Sequence, residues 1–273
     1  MCASDHPRQI YGIDFSGAKN AGKKIWIASG VMDGDALRIE DCRRAEGLPG
    51  WRRDRDQCLS ALRDFIASQG ACAIGLDFPF GLPRDLVKEY DCWEDFVLSF
   101  LDCYSSPEAF RRVCHKAGGG RELKRVTDQE SQTPFSPYNL RLYRQTYFGI
   151  RDVLYPLVRD QLARVLPMQS VLPDKPWMLE ICPASTLKQK ALYQPYKGRG
   201  EEHRQAREHI LREIEEKALS IPAELRAEIV DNREGDALDS VIAAFATFRA
   251  LHDPAGLVPE GNDAYKLEGY VYI

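Results

Sequence analysis

The most constraining feature of this sequence is a short, almost continuously apolar run at residues 71–78 (ACAIGLDF). Such a run is typical of a strand buried on both faces of a sheet that helices cover on each side. Residues 54–68 precede it with apolar side chains at helical spacing, and Gly70 ends that helix. A strand, a helix and a buried strand in succession favour a parallel pair. We therefore predict an α/β fold.

Three runs near the amino terminus predict further strands. Residues 9–15 (QIYGIDF), 24–32 (KIWIASGVM) and 36–45 (ALRIEDCRRA) have the apolar or alternating character of strands. Asp33-Gly34 between the last two is a strong hairpin signal. We therefore expect a mixed sheet, in which an antiparallel three-strand meander is joined to parallel strands and flanked by helices.

The remainder of the chain has mainly helical patterns. Residues 84–170 carry helical segments around a stretch with several Gly and Pro residues, and we interpret them as a helical insertion or subdomain. Residues 177–182 (WMLEIC) return to strand character, and residues 235–251 (GDALDSVIAAFATFRAL) form the best amphipathic helix. We expect a single domain over residues 1–273 that contains this insertion.

The composition of the chain says more about the cellular compartment of the protein than about its activity. The formal net charge of −4 does not mark a nucleic-acid binder. The chain has eight cysteines without a CxxC pair and no export signal, so we expect reduced core thiols. No run approaches the roughly 20 apolar residues of a membrane span. We expect a soluble, cytoplasmic protein with no membrane partner.

Acidic side chains occur in three apolar strands. Asp14 and Asp77 come at the ends of the first and fourth strands, and Glu180 lies within WMLEIC. A carboxylate in such a setting is costly to bury unless it is paired, hydrogen-bonded or bound to a metal. One such residue is unremarkable, but three in similar settings predict a shared acidic site.

The late amphipathic helix adds two more carboxylates, Asp236 and Asp239. Their spacing puts both on one face of the helix, about one turn apart. A simpler interpretation is that Asp236 complements the helix dipole and that Asp239 is exposed. If the five carboxylates converge, an oxygen-rich cluster of this type suits Mg²⁺ or Mn²⁺.

A basic and aromatic segment lies within the predicted insertion. Its basic residues Lys124, Arg125, Arg141 and Arg144 alternate with aromatic side chains over residues 124–144. This pattern suits contacts to nucleic-acid phosphates combined with base stacking, and it also suits an ordinary amphipathic helix. We expect these four residues to bind substrate.

The order of these elements resembles the ribonuclease H-like superfamily. Within it, the motifs GIDFSGA, IGLDFPFGLP, LEICPAST and EGDALDSVIAAFATFRAL, with the terminal EGYVYI, resemble the domain-of-unknown-function 429 family, described as predicted nucleases. The resemblance spans nearly the whole chain. It implies a metal site at Asp14, Asp77 and Asp236 that Asp239 or Glu180 completes.

The resemblance also implies an activity. We expect a metal-dependent nuclease that hydrolyses phosphodiester bonds of DNA, RNA or a nucleotide, with Mg²⁺ or Mn²⁺ held by catalytic aspartates. The layout is nearer to the resolvase type, whose fourth strand usually carries Glu where this chain has Asp77. The number of metal ions therefore stays open.

Two other functions remain open at this stage. A non-catalytic binding protein could keep the ribonuclease H-like fold without the metals, because fold alone does not fix function. A phosphotransferase of the actin-like fold shares the strand meander, and the turn at residues 14–17 could hold phosphates. Actin-like proteins usually duplicate their core, whereas the sequence contains one meander.

Overall fold

The structure is a computed structural model that describes residues 7–52, 54–253, 257, 259 and 261–273. These residues form an α/β fold with one mixed sheet between helices, which confirms the predicted fold class and mixed sheet. The strands are β1 (Gln9–Asp14), β2 (Trp26–Asp33), β3 (Ala36–Arg44), β4 (Cys72–Leu76), β5 (Arg164–Leu166), β6 (Trp177–Ile181), β7 (Leu219–Ser220) and β8 (Val271–Tyr272).

The helices fall into an early group and a late group along the chain. The early group is α1 (Arg55–Ser68), α2 (Arg84–Val87), α3 (Trp93–Cys103), α4 (Pro107–Ala117), α5 (Val126–Glu130), α6 (Tyr143–Gly149) and α7 (Tyr155–Arg159). The late group is α8 (Pro183–Gln189), α9 (Glu201–Ala218), α10 (Ala223–Asp231), α11 (Asp236–His252) and α12 (Tyr265–Glu268). Over the described ranges, no helix is both long enough and apolar enough to cross a membrane.

The strand order of the sheet is β5-β6-β4-β1-β2-β3-β7, and β8 pairs with β6 beyond the end of β5. Strand β2 is antiparallel to β1 and to β3, as the predicted meander requires. The pair β1–β4 is parallel, with Ile10 opposite Ala73, whereas the helix before β4 follows β3 in the chain. The pairs β4–β6, β5–β6 and β3–β7 are parallel as well. Neighbouring parallel strands therefore bring their carboxyl ends to one edge of the sheet.

The sheet is buried on both faces, as the apolar run of β4 predicts. Alternate residues of the central strands enter two separate cores, because successive side chains point to opposite faces. Ile13 and Ile74 belong to a core shared with α1 and the helices α2, α3, α4, α6 and α7. Ile10 and Ala73 belong to the other core, which the helices α8 to α11 complete.

The segment at residues 84–170 contains helices α2 to α7 and one strand that the sequence does not predict. The pattern of residues 140–166 predicts a helix to the end, but α7 ends at Arg159 and a turn follows, with Gln161 at φ of +51°. The chain then pairs residues 164–166 with β6 as β5. An apolar run this short fits a helix end or an edge strand equally well, and the free edge of β6 decides between them.

Helix α11 crosses β1 and β4 at very close range because both strands have glycine at the crossing. Gly12 and Gly75 are opposite each other in the parallel register. A Cβ on Gly12 would lie 2.1 Å from the backbone N of Ala244 and 2.1 Å from the backbone O of Ser240. A Cβ on Gly75 would lie 3.0 Å from the backbone O of Ala243. The helix can therefore approach the sheet backbone only because these side chains are absent.

We predict that Gly12→Ala lowers the free energy of unfolding by about 3 kcal/mol or more, at the upper end of the range for overpacked cores. The clash is with helix backbone, which cannot move aside as a flexible side chain can. Gly70→Ala is the matched control, since its Cβ would meet no atom of the described chain within 4 Å. Urea denaturation measures both variants, and equal stabilities would contradict the proposed packing of α11.

Candidate functional site

The carboxyl ends of β1 and β4 bring Asp14 and Asp77 next to each other. Asp14 is the last residue of β1 and is 8% exposed. Asp77 follows β4 directly, and its backbone N–H donates to the carbonyl of Ile13 at 3.0 Å. This hydrogen bond extends the parallel pairing by one residue beyond the strand. The two aspartates therefore lie at the same edge of the sheet, as the sequence predicts.

Helix α11 brings the other two aspartates to this edge. Gly235 precedes the helix with φ of +79°, a left-handed conformation that glycine adopts without strain. Asp236 is the first residue of α11, and Asp239 follows one turn later on the same face. Asp239 is 2% exposed, so the structure contradicts the interpretation that it is a simple surface residue. Its backbone N–H donates to the carbonyl of Gly235 at 3.0 Å.

Two residues that the sequence analysis missed contact Asp239. The hydroxyl of Tyr196 donates to Oδ1 of Asp239 at 2.5 Å. The ammonium of Lys197 lies 2.5 Å from Oδ2 of Asp239 and 3.9 Å from Oδ1 of Asp236. Both residues belong to the connection between α8 and α9, which has no strand or helix periodicity. Nothing in their local pattern distinguishes them from other loop residues.

The four aspartates interact electrostatically. Burial, together with the negative charge of Asp239, raises the pKa of Asp14 well above its usual value. The same two causes raise the pKa of Asp77 to about 8, against the opposing effect of Lys197. Burial also raises the pKa of Asp236, which Lys197 again opposes. Lys197 thus contributes one positive charge among four carboxyl groups and leaves the site short of positive charge.

The atoms of this site that could bind a metal ion are all oxygens, and Mg²⁺ and Mn²⁺ prefer oxygen ligands. The set therefore fits the expected metals by its chemistry. Within the part of the chain that is described, however, no three His, Cys, Asp or Glu side chains are arranged to hold a metal ion. In this arrangement Asp239 accepts from Tyr196 and Lys197 instead.

Glu180 has a different role from the one expected. It is 3% exposed within β6, and the guanidinium of Arg125 contacts both of its carboxylate oxygens. The backbone N–H of Phe80 also donates to Oε2 at 2.8 Å. These bonds satisfy the buried carboxylate without a metal. The expectation that Glu180 is a metal ligand is therefore replaced by a role as a buried ion-pair partner.

Arg125 also differs from its expected role in substrate binding. It is 1% exposed, and its guanidinium donates to Asp128 at 2.8 and 3.0 Å as well as to Glu180. All the guanidinium nitrogens of Arg125 therefore donate hydrogen bonds within the protein. Arg125 joins the segment that contains α5 to strand β6, so it supports the fold rather than an exposed nucleic-acid surface.

The other three predicted substrate-binding residues are exposed. Lys124 donates to the carbonyl of Thr133 at 2.6 Å. The guanidinium of Arg141 lies 5.5 Å from the ring centre of Phe135, and Arg144 pairs with Glu108 at 2.7 Å. The geometry of these three leaves their basic side chains at the surface, where a phosphate could compete for them.

A cleft of about 460 Å³ opens beside the aspartates. Its polar lining includes Asp77, Asp239 and Lys197, and its aromatic lining includes Phe135 and Tyr193. This combination suits a ligand with a charged part and a flat apolar part, because aromatic faces stack on planar groups. The aspartates therefore lie next to a cleft that is large enough to hold a small organic group.

A thiol in the same cleft has no nucleophilic character. Cys182 lines the cleft, and burial raises its pKa to about 12. The thiol therefore stays protonated at neutral pH, whereas the thiolate is the reactive form. The chemistry of the cleft rests on its carboxylates rather than on this sulfur.

We predict that Arg125→Met lowers the free energy of unfolding by about 3–5 kcal/mol, because it leaves Glu180 and Asp128 buried without their cation. Arg144→Met is the matched control, since its pair with Glu108 is exposed, with side-chain exposures of 59% and 56%. That control is expected to cost less than about 1 kcal/mol. Chemical denaturation compares them, and equal losses would contradict the structural role of Arg125.

We predict that stability falls as pH rises when divalent cations are removed with EDTA. The folded-state pKa of Asp77 is about 8, whereas an unfolded aspartate has a pKa of about 3.9. Between these values the folded chain keeps a proton that the unfolded chain has released, so a rising pH favours unfolding. The free energy of unfolding should decline by up to about 1.4 kcal/mol per pH unit per group.

Asp77→Asn serves as the control for this pH dependence, since the amide does not titrate. Its free energy of unfolding should decline less steeply between about pH 4 and pH 8 than that of the unsubstituted chain. Denaturation at a series of pH values measures both slopes. An identical slope in the two proteins would show that Asp77 ionises normally in the folded state.

No family model, curated protein or solved structure matches the chain.

Proposed function

We propose that this chain is a metal-dependent phosphodiesterase of the ribonuclease H-like fold that acts on nucleic acid. The strand order β3-β2-β1-β4-β6, with β2 antiparallel to its neighbours, supports this fold. Carboxylates at the ends of β1 and β4, and helix α11 packed across both strands, support it further. The motif resemblance to the domain-of-unknown-function 429 family points to the same activity.

The observation that carries the proposal is the charge imbalance at the strand ends. Asp14 and Asp239 are at most 8% exposed, and the pKa of Asp14 is well above its usual value because of burial and Asp239. Buried carboxylates of this kind must take up protons or cations. Since all the donors are oxygens, Mg²⁺ or Mn²⁺ is the cation that suits them.

Asp14, Asp77 and Asp236 would hold the ion, and Asp239 would complete the site. The bound ion supplies a Lewis acid for a phosphoryl oxygen and lowers the pKa of a water molecule. Tyr196 orients one of the ligands, because its hydroxyl donates a hydrogen bond to the carboxylate of Asp239. The burial of Asp14 and Asp239 lowers the dielectric around their carboxylates, which strengthens their attraction for a cation.

The cleft supports a nucleic acid or nucleotide as the substrate class. Phe135 and Tyr193 offer aromatic faces for a base, next to the carboxylates that would act on the phosphate. Leu142 also lines the cleft, and its neighbour Arg141 is exposed. Arg141, with the exposed Lys124 and Arg144, would then contact phosphates outside the cleft.

A second candidate is a non-catalytic binding protein that keeps this fold. The pairing of Asp239 with Lys197 favours it, since a lysine that neutralises the site permanently would leave no place for a metal. In that case the cleft would bind a ligand without hydrolysing it. The two candidates differ in whether the protein binds a divalent cation at these aspartates.

We predict Mn²⁺- or Mg²⁺-dependent cleavage of a labelled single-stranded oligonucleotide by the full chain. Asp14→Asn is expected to reduce the rate by at least about 100-fold, because the amide removes the negative charge from a buried ligand. Asp102→Asn, a change at an exposed position on α3, is the matched control and should keep the rate. Gel assays with DNA and with RNA, in Mn²⁺ and in EDTA, measure the cleavage.

Metal binding is measured in parallel by calorimetry. Cleavage that persists in Asp14→Asn would overturn the proposed mechanism. Binding of Mn²⁺ without cleavage of any oligonucleotide would leave the metal site in place but reject the nuclease activity. A protein that binds neither Mn²⁺ nor Mg²⁺ at millimolar concentration would favour the non-catalytic candidate.

A further inference from the structure

Lys197 differs from its carboxylate partners in exposure. Its side chain is 52% exposed, whereas the side chain of Asp239 is 4% exposed and that of Asp236 is 16% exposed. The ammonium thus reaches a buried anionic site from a side chain that is about half exposed. A cation held in this way can leave toward water without opening the core.

The backbone around Lys197 is fixed. The buried Arg207 donates to the carbonyl of Tyr196 at 2.6 Å and to that of Gly198 at 3.2 Å, on either side of Lys197. The backbone N–H of Gly198 donates to the carbonyl of Arg233 at 2.9 Å. Any movement of the ammonium is therefore confined to the side chain of Lys197.

Tyr196 holds the carboxylate in place independently of Lys197. Its hydroxyl bonds Oδ1 of Asp239, whereas Lys197 contacts Oδ2. Tyr196 is 6% exposed, so it remains in the core when the lysine moves. Gly235 leaves room for both residues, since a Cβ there would lie 3.0 Å from Lys197 and 3.1 Å from Tyr196. Departure of the lysine would free one carboxylate oxygen that is already oriented.

We propose that Lys197 is a resident counter-cation, whose ammonium stabilises the aspartates in the metal-free protein and is displaced when a divalent cation binds. The inference rests on the metal site of the proposed function. An ammonium and a divalent cation beside the same carboxylate oxygen repel each other, so the two compete. A flexible lysine suits this exchange, because it binds as a point charge rather than as a rigid fork.

The test measures Mn²⁺ affinity of the full chain by calorimetry at neutral pH. Lys197→Met keeps the apolar stem and removes the charge, and we expect it to bind Mn²⁺ about tenfold more tightly or better. Lys197→Arg keeps the charge and should not gain affinity. Lys19→Met, at an exposed loop position, controls for the loss of one surface charge and should bind as the unsubstituted chain does.

Thermal unfolding provides a second readout. In EDTA, Lys197→Met should unfold at a lower temperature than the unsubstituted chain, because the aspartates lose their cation. Saturating Mn²⁺ should raise its midpoint by more than it raises that of the unsubstituted chain, as tighter binding requires. Equal midpoints in EDTA would contradict the stabilising role of Lys197.

A third readout uses the unsubstituted protein, so it does not depend on the folding of any variant. Acetic anhydride labels free amines, and mass spectrometry measures the acetylated fraction of Lys197 relative to Lys19. We expect Mn²⁺ to increase labelling of Lys197, because displacement takes its ammonium away from Asp239. Unchanged labelling while Mn²⁺ binds would overturn the displacement.

The outcomes separate this inference from the proposed function. Equal or weaker Mn²⁺ affinity in Lys197→Met, with binding intact in the unsubstituted chain, would overturn the role of Lys197 and leave the metal site standing. Absence of Mn²⁺ binding in both proteins would overturn the metal site, and the inference would fall with it. Tighter binding in the variant, together with increased labelling, supports both.

Discussion

The buried pairing of Arg125 with Glu180 and Asp128 joins the segment around α5 to strand β6 of the sheet. Glu180 belongs to β6, whereas Arg125 and Asp128 belong to the segment around α5, and each of the three is at most 3% exposed. Glu268 extends the connection, since its carboxylate accepts from the backbone N–H of Val126 at 2.8 Å. The same three charged residues line the cleft. The shape of the cleft therefore depends on this network as much as on the sheet.

The parts of the site that the sequence predicts are those that local pattern determines. Asp14 and Asp77 each end an apolar strand, and these strands are parallel neighbours although β2, β3 and α1 lie between them in the chain. Two residues at equivalent ends of neighbouring strands must lie close together. Asp236 and Asp239 follow from helical spacing in the same way. Strand β5 was missed because its three residues pair with β6 only in the folded sheet.

The roles that the sequence could not predict depend on contacts between distant residues. Glu180 has the same apolar surroundings as Asp14, but Arg125, 55 positions away, makes it a structural residue. Tyr196 reaches Asp239 across 43 positions from a loop without periodicity. A burial pattern shows that a carboxylate needs a partner and does not show which partner it obtains.

The type of cation distinguishes the two buried acidic sites. At Glu180 the partner is an arginine, whose planar guanidinium contacts both carboxylate oxygens and is itself buried. Another cation could replace this arginine only if the surrounding structure unfolded. At Asp239 the partner is a lysine on a half-exposed stem. A lysine is a compact, mobile charge that another cation can replace. A cation that neutralises a buried carboxylate permanently suits a structural site, whereas an exchangeable cation suits a binding site. This contrast is the physical reason to expect the function at Asp239.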